Sequence, residues 1–175
     1  IVHQVSHSKY IKILKKSFPS VNILFANAGK NRQISSINGL KKLNYYKPEN
    51  VLIHDAARPF CSSKLIKRII NQLEKKYSAV PYISSYDKKI ILKKEFDKNI
   101  KFIQTPQGFK FKVIYEAHKK TLIKNAKDDS VLIPKEKMNL IKGEKFNIKI
   151  THADDINYFK LFNKPIFKSG IGYDI

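Results

Sequence analysis

The chain is short of acids, arginines, cysteine and long apolar runs, and each shortage removes a class of protein. One cysteine, Cys61, excludes an internal disulfide and a cysteine-based metal cluster. It fits a reducing compartment, so a cytoplasmic location is expected. No apolar run approaches the roughly 18 residues of a membrane span, and no signal-peptide pattern is visible. Fourteen acids face 35 basic residues, for a net charge of +21. An excess of this size can mark a nucleic-acid partner. Yet only Arg32, Arg58 and Arg68 are arginines, and base readout favours arginine. The lysines run along the whole chain with Asn and Ile, as compositional drift would place them. Nucleic acid is therefore not expected as a partner, and a phosphate-bearing small substrate suits the positive field. His3, His7, His54, His118 and His152 show no metal-ligand spacing. No repeat or low-complexity tract is present, and 175 residues with a 42% apolar share predict one main domain.

Apolar runs alternate with helical periods. Ile1–Val5 and Val21–Ala26 read as strands, with a helix between them carrying Tyr10, Ile11, Ile13, Leu14 and Phe18. Gly29 allows a tight turn before a helix with Ile37, Leu40 and Leu43 on one face. Residues 51–54 form an apolar strand, and a helix follows over about 62–75 with Leu65, Ile66, Ile69, Ile70 and Leu73 inward. Ala79–Ile83 is the next strand. The alternation predicts an α/β fold, Rossmann-like and doubly wound, with a mostly parallel sheet. Residues 84–104 break the rhythm and read as an antiparallel arm, of the kind that pairs subunits. A helix over about 111–123, a cap at Asp128-Asp129-Ser130, strand-like runs at 138–142 and 146–150, and a last helix capped by Thr151 complete the pattern.

Open α/β sheets bind ligands beyond the carboxyl ends of their strands. Asp55 and Arg58, after strand 51–54, stand where a ligand should sit, with Ala56 and Ala57 small enough for it to approach the backbone. His54 is expected to support the site rather than act as a base.

Several stretches match one family in order and spacing. They are His54-Asp55-Ala56-Ala57-Arg58-Pro59, Gly29 through Arg32-Gln33-x-Ser35 to Asn38-Gly39-Leu40, Gln104-Thr105-Pro106-Gln107-x-Phe109, Asp128-Asp129, and Asn147-Ile148-Lys149-Ile150-Thr151-x-x-Asp154-Asp155. Together, over about residues 1–160, they resemble 2-C-methyl-D-erythritol 4-phosphate cytidylyltransferase of the non-mevalonate isoprenoid pathway. The resemblance implies transfer of CMP from CTP to methylerythritol phosphate, with pyrophosphate released and Mg²⁺ as cofactor. It places Gly29, Lys30, Ser35 and Ala56 around the nucleotide, although relatives often carry an acid where Lys30 stands. It places Asp55, Arg58 and Thr105 at the substrate, and Lys149 as the catalytic lysine fixing the attacking phosphate.

Two departures fall on the arm. Ser84-Ser85 replaces an Asp-Thr of relatives, leaving Ser85 to keep the hydroxyl contact. Lys98 replaces an arginine and retains its charge without the bidentate grip. In the family the arm reaches the partner subunit, so Ser85 (substrate) and Lys98 (catalytic) would serve the neighbour's site in a homodimer. The family's glycine-rich first loop has no counterpart after Ile1. The chain is thus expected to lack its first β-unit, and by itself to fold poorly or turn over slowly. Lys168 to Ile175 resembles the opening strand of 2-C-methyl-D-erythritol 2,4-cyclodiphosphate synthase, where Asp174 would be a ligand for a divalent metal such as Zn²⁺. Residues 161–175 then read as a linker and the start of a second domain in a bifunctional parent. Two other readings stay open: a cytidylyltransferase for another polyol phosphate such as ribitol 5-phosphate, and a basic nucleic-acid-binding module.

Overall fold

The computed structural model describes residues 1–3, 8–84, 90–91, 94–95 and 100–157. Strand β1 (Val2–His3) pairs parallel with β2 (Ala26–Asn27), and α1 (Ser8–Ser17) lies between them in sequence. Helix α2 (Arg32–Asn44) follows, then β3 (Asn50–Ile53), α3 (Ser63–Leu73) and β4 (Ser78–Ser84). Two short strands, β5 (Ile90–Ile91) and β6 (Lys94–Glu95), pair antiparallel. The chain returns through β7 (Lys101–Ile103), β8 (Gln107–Lys110), α4 (Phe111–Lys120) and β9 (Leu140–Lys142).

The main sheet is ordered β3-β8-β4-β7, with β9 on the other side of β4. Strands β3 and β4 both run antiparallel to β8, and so run the same way as each other; β9 is parallel to β4. The strands that alternate with helices are therefore co-directional, and only the returning segment β7–β8 opposes them. The fold is α/β with a mixed sheet, Rossmann-like as the alternation predicts. The arm is closed at its base by an antiparallel ladder pairing Tyr82 with Ile103 and Ser84 with Lys101.

Alternation along the strands divides the core in two. Val51, Val80 and Phe109 join Leu40 of α2 and Phe111 and Ile114 of α4. Their neighbours Leu52 and Ala79 face Leu65, Ile69 and Leu73 of α3. Each of those three α3 side chains is fully buried, worth about 1.5–3 kcal/mol. Gly108 is the corresponding position on β8. A Cβ there would lie 2.3 Å from Ile69 Cγ2 and 3.0 Å from Leu73 Cδ1, so only glycine admits α3 this close.

Several sequence expectations are corrected. Ile70, expected inward, is exposed, because the i, i+4 stripe Leu65–Ile69–Leu73 takes the face of α3 that meets the sheet. Residues 21–25 are not a strand: the ladder to β1 holds only two residue pairs, and Val21 is exposed. Strand β8 was not expected, because a buried glutamine and glycine after a proline carry no strand pattern. Helix α4 stops at Lys120, and the chain loops through Asn125 at a positive φ of 59°. Residues 146–150 are not a ladder strand: Asn147 N–H turns back to Glu144 O at 3.1 Å, and Phe146 is exposed. At the last helix the cap runs in the other direction. The Asp155 carboxylate accepts from Thr151 N–H (2.7 Å) and His152 N–H (2.9 Å). Ser85, Lys98 and Asp174 lie outside the described residues.

Candidate active site

Three distant segments meet beyond the carboxyl end of β3. Asp55 supplies the centre. Lys149 Nζ donates to its Oδ2 at 2.8 Å, and Arg32 stands 3.5 Å from its Oδ1. Burial pushes the Asp55 carboxyl up. The Lys149 hydrogen bond and the charges of Arg32, Lys149 and Arg58 outweigh that and hold it below the usual carboxylate range. The carboxylate is thus charged at neutral pH and flanked by cations from both sides. Lys149 itself is exposed, so the pair adds little stability, and its value lies in placement.

The loop after β3 is braced from below. Thr105 is buried and its Oγ1 accepts from Asp55 N–H at 3.0 Å. His54 contacts Arg58 O through Nε2 (3.1 Å) and Thr105 Oγ1 through Nδ1 (3.0 Å). A carbonyl only accepts, so the neutral ring carries its proton on Nε2, and the Thr105 hydroxyl donates to Nδ1. The hydroxyl is fully used inside the protein, orienting the Asp55 backbone. His54 is likewise occupied on both nitrogens, in keeping with support rather than base catalysis.

Arg58 also points inward. Its Nη1 donates to Asn147 O at 2.7 Å and its Nη2 to Ile103 O at 3.4 Å. Burial lowers its pKa, though the charge of Asp55 opposes this. The guanidinium therefore fastens the Lys149 segment to the end of β7. Gln104 completes this clasp. Its Nε2 donates to Glu144 O (2.8 Å) and Asn147 O (3.1 Å), and its Oε1 accepts from Glu144 N–H (3.0 Å). Asn147, fully buried, returns a bond from Nδ2 to Thr105 O at 2.8 Å, and Ile150 N–H reaches Ala57 O at 2.8 Å. Lys149 thus sits on an irregular segment pinned at both ends.

The turn before α2 forms the other wall. A Cβ on Gly29 would lie 2.2 Å from Ile34 Cγ2 and 2.8 Å from the Ile34 carbonyl carbon, which reserves the position for glycine. Gly29 N–H donates to Ser35 Oγ at 3.0 Å, and Asn31 caps the helix by accepting from Ile34 N–H at 2.9 Å. Lys30 and Ala56 are exposed. A cleft of about 590 Å³ opens here, lined by Lys30, Asn31, Gln33, His118 and Lys124 among others. Two further clefts, of about 510 and 560 Å³, lie along α4 and include none of these site residues.

The structure brings Asp55, Lys149, Arg58 and Thr105 together and places Gly29 and Ser35 three residues either side of Arg32. Sequence reasoning assigned no role to Arg32, Gln104, Asn147 or the pair His118 and Asp129. Arg32 carried a signal, as one of only three arginines. The Asp129 carboxylate, buried beside it, contacts Arg32 Nη1 at 2.6 Å and His118 Nε2 at 2.9 Å. Burial raises the Asp129 pKa, but the bonds from His118 and Arg32 hold it below the usual carboxylate range.

Strand ends that gather cations around one carboxylate suit a ligand rich in phosphate, and the fold that carries them here is that of the nucleotidyltransferases. Within that class the chain belongs to the IspD family, 2-C-methyl-D-erythritol 4-phosphate cytidylyltransferase, whose model matches residues 1–162. It is 39% identical over 158 residues to the bifunctional enzyme IspD/IspF of Wolbachia pipientis, covering 84% of this chain and 39% of that protein. It is 36% identical over 175 residues to the 2-C-methyl-D-erythritol 4-phosphate cytidylyltransferase of Neorickettsia sennetsu, covering 90% of this chain and 74% of that one. Among solved structures, the 4-diphosphocytidyl-2C-methyl-D-erythritol synthase of Anaerococcus prevotii is similar at 32% identity and a TM-score of 0.81, covering 92% of this chain and 76% of that chain. The chain spans less than half the length of the bifunctional relatives it matches.

Proposed function

We propose that the protein carrying this chain transfers CMP from CTP to 2-C-methyl-D-erythritol 4-phosphate, releasing pyrophosphate. The observation that carries this reading is the meeting of Asp55, Lys149 and Arg32, drawn from segments up to 117 residues apart, in a chain that belongs to the IspD family. In-line phosphoryl chemistry asks the protein for position and charge compensation more than for covalent steps. Lys149 holds the phosphate of the polyol for attack on the α-phosphorus. Asp55 accepts hydrogen bonds from the polyol hydroxyls. The Gly29–Ser35 turn, with Lys30 and Ala56, takes the cytidine. Arg58 and Thr105 serve the same site, through the bonds that hold the Lys149 segment and the Asp55 backbone.

Among the described residues no three His, Cys, Asp or Glu side chains cluster to hold a metal ion. Asp55 and Asp129 both face cations, so the Mg²⁺ proposed as cofactor travels with the triphosphate of CTP. Residues 1–160 are proposed as the cytidylyltransferase unit and 161–175 as a linker toward a second domain, a reading supported by the bifunctional names of several relatives. A homodimer through residues 84–104, with Ser85 and Lys98 serving the partner's site, and a cytoplasmic location belong to the same proposal. No helix among the described residues is long and apolar enough to cross a membrane.

The test is direct. Calorimetry measures CTP binding, and pyrophosphate release measures turnover with methylerythritol phosphate. Ser35→Ala is expected to weaken CTP binding. Asp55→Ala is expected to lower kcat/KM for the polyol phosphate about a hundredfold, the scale of two charge-assisted hydrogen bonds. Turnover by Asp55→Ala at the wild-type rate would overturn the assignment.

A further inference from the structure

The site described above ends at Arg32, but its interactions do not. The guanidinium is a fork, and the structure uses its two sides differently. Nη1 meets the Asp129 carboxylate at 2.6 Å. The Nε and Nη2 edge faces Asp55 Oδ1 at 3.5 Å. Asp129 is in turn held by His118 Nε2 at 2.9 Å, and both of those side chains are 1% exposed. A carboxylate accepts only, so the imidazole carries its proton on Nε2 and donates to Oδ1. The line His118–Asp129–Arg32–Asp55–Lys149 runs from the buried face of α4, across the start of α2, to the strand edge.

The Asp129 end of this line is costly to bury unless its charge is paired and hydrogen-bonded. Deep burial of Asp129 with its two partners gives one oxygen to each of them and leaves it little freedom. Arg32 is then fixed at one end, and only its free edge can address the ligand side. A lysine cannot make both contacts.

We propose that His118 and Asp129 are positioning residues for the site: they aim Arg32 at Asp55, so that the Asp55 carboxylate is held between Arg32 and Lys149. The proposal rests on the reading of Asp55 as a substrate contact. Asp129 and His118 touch no substrate and act through Arg32.

The test is a double-mutant cycle on the intact protein. Arg32→Ala and Asp129→Asn are each expected to lower kcat/KM for the polyol phosphate by about ten- to a hundredfold, the size of one charge-assisted hydrogen bond. The double variant is expected to fall no further than Arg32→Ala alone, within about threefold, because Asp129 has nothing left to aim. His118→Gln keeps an N–H for Asp129 and is expected to stay within about threefold of wild type, whereas His118→Leu falls as Asp129→Asn does. Multiplying losses in the double variant, or equal losses for His118→Gln and His118→Leu, would overturn the proposal. Should the wild-type protein transfer no cytidylyl group, the functional reading fails separately. The same cycle read on thermal midpoints then decides: coupled losses support the Arg32–Asp129 link, and additive losses remove it.

Discussion

Replacing Gln104 with leucine should loosen the turn that leads to Lys149 without opening a large hole. Gln104 is 2% exposed and spends its whole amide on the turn that leads to Lys149. Leucine fills similar space but offers no polar atom. Asn147 O would keep its bond from Arg58 at 2.7 Å. Glu144 N–H would lose its acceptor, whereas Glu144 O would keep the bond from Asn147 N–H at 3.1 Å. An unsatisfied buried backbone group costs about 1–3 kcal/mol. Glu144 is half-buried, so water reaches part of this turn and the lower range applies, roughly 1–2 kcal/mol for that one group. For a domain of this size that corresponds to a thermal midpoint lower by roughly 2–8 °C. Calorimetry gives the midpoint, and the pyrophosphate assay gives the consequence for Lys149. Gln104→Glu sharpens the test. It keeps the acceptor for Glu144 N–H but sets a second oxygen against two carbonyls, so its loss should shrink as the pH falls and the new carboxyl protonates. A Gln104→Leu midpoint within about 1 °C of wild type would refute the claim that this amide holds the turn.

Two more outcomes follow from the packing and the charges. Asp55 and Asp129 both ionise more readily in the folded protein than unfolded, so they contribute stability that is complete above the unfolded carboxylate value of about 4. That contribution disappears as the pH falls through their folded values; Asp129→Asn should flatten the acid limb of a midpoint-against-pH curve, and an unchanged limb would count against the assignment. Gly108→Ala should lower stability by about 1–3 kcal/mol, because the added methyl meets Ile69 at 2.3 Å and α3 must retreat; denaturant unfolding measures it, and a neutral result would mean α3 yields freely.

The parts of this protein readable from sequence are those whose causes are local. Helices α2 and α3 announce themselves by apolar period, and their caps Asn31 and Ser62 stand where the first turns need an acceptor. Asp55 was legible because a strand end is a general place for chemistry. What escaped was set by distant partners. Strand β8 exists because β3 and β4 leave a slot between them and α3 needs a glycine beneath it. The 146–150 segment forgoes a ladder because Gln104 and Arg58 claim the Asn147 carbonyl. Arg32 pairs with Asp129 across 97 positions, and no spacing rule links residues that far apart. The two arm positions given site roles, Ser85 and Lys98, lie outside the described residues, and the geometry does not speak to them.

The ladder that seals the foot of the arm, Tyr82 to Ile103 through Ser84 to Lys101, separates two design problems. Below it, a change of one residue would shift Gln104 and Thr105 out of step with Asp55. Above it, added length costs the site little, since each doubling of a connection costs only about 0.6 kcal/mol. The span between Ser84 and Lys101 can therefore lengthen or shorten while Gln104 and Thr105 keep step with Asp55.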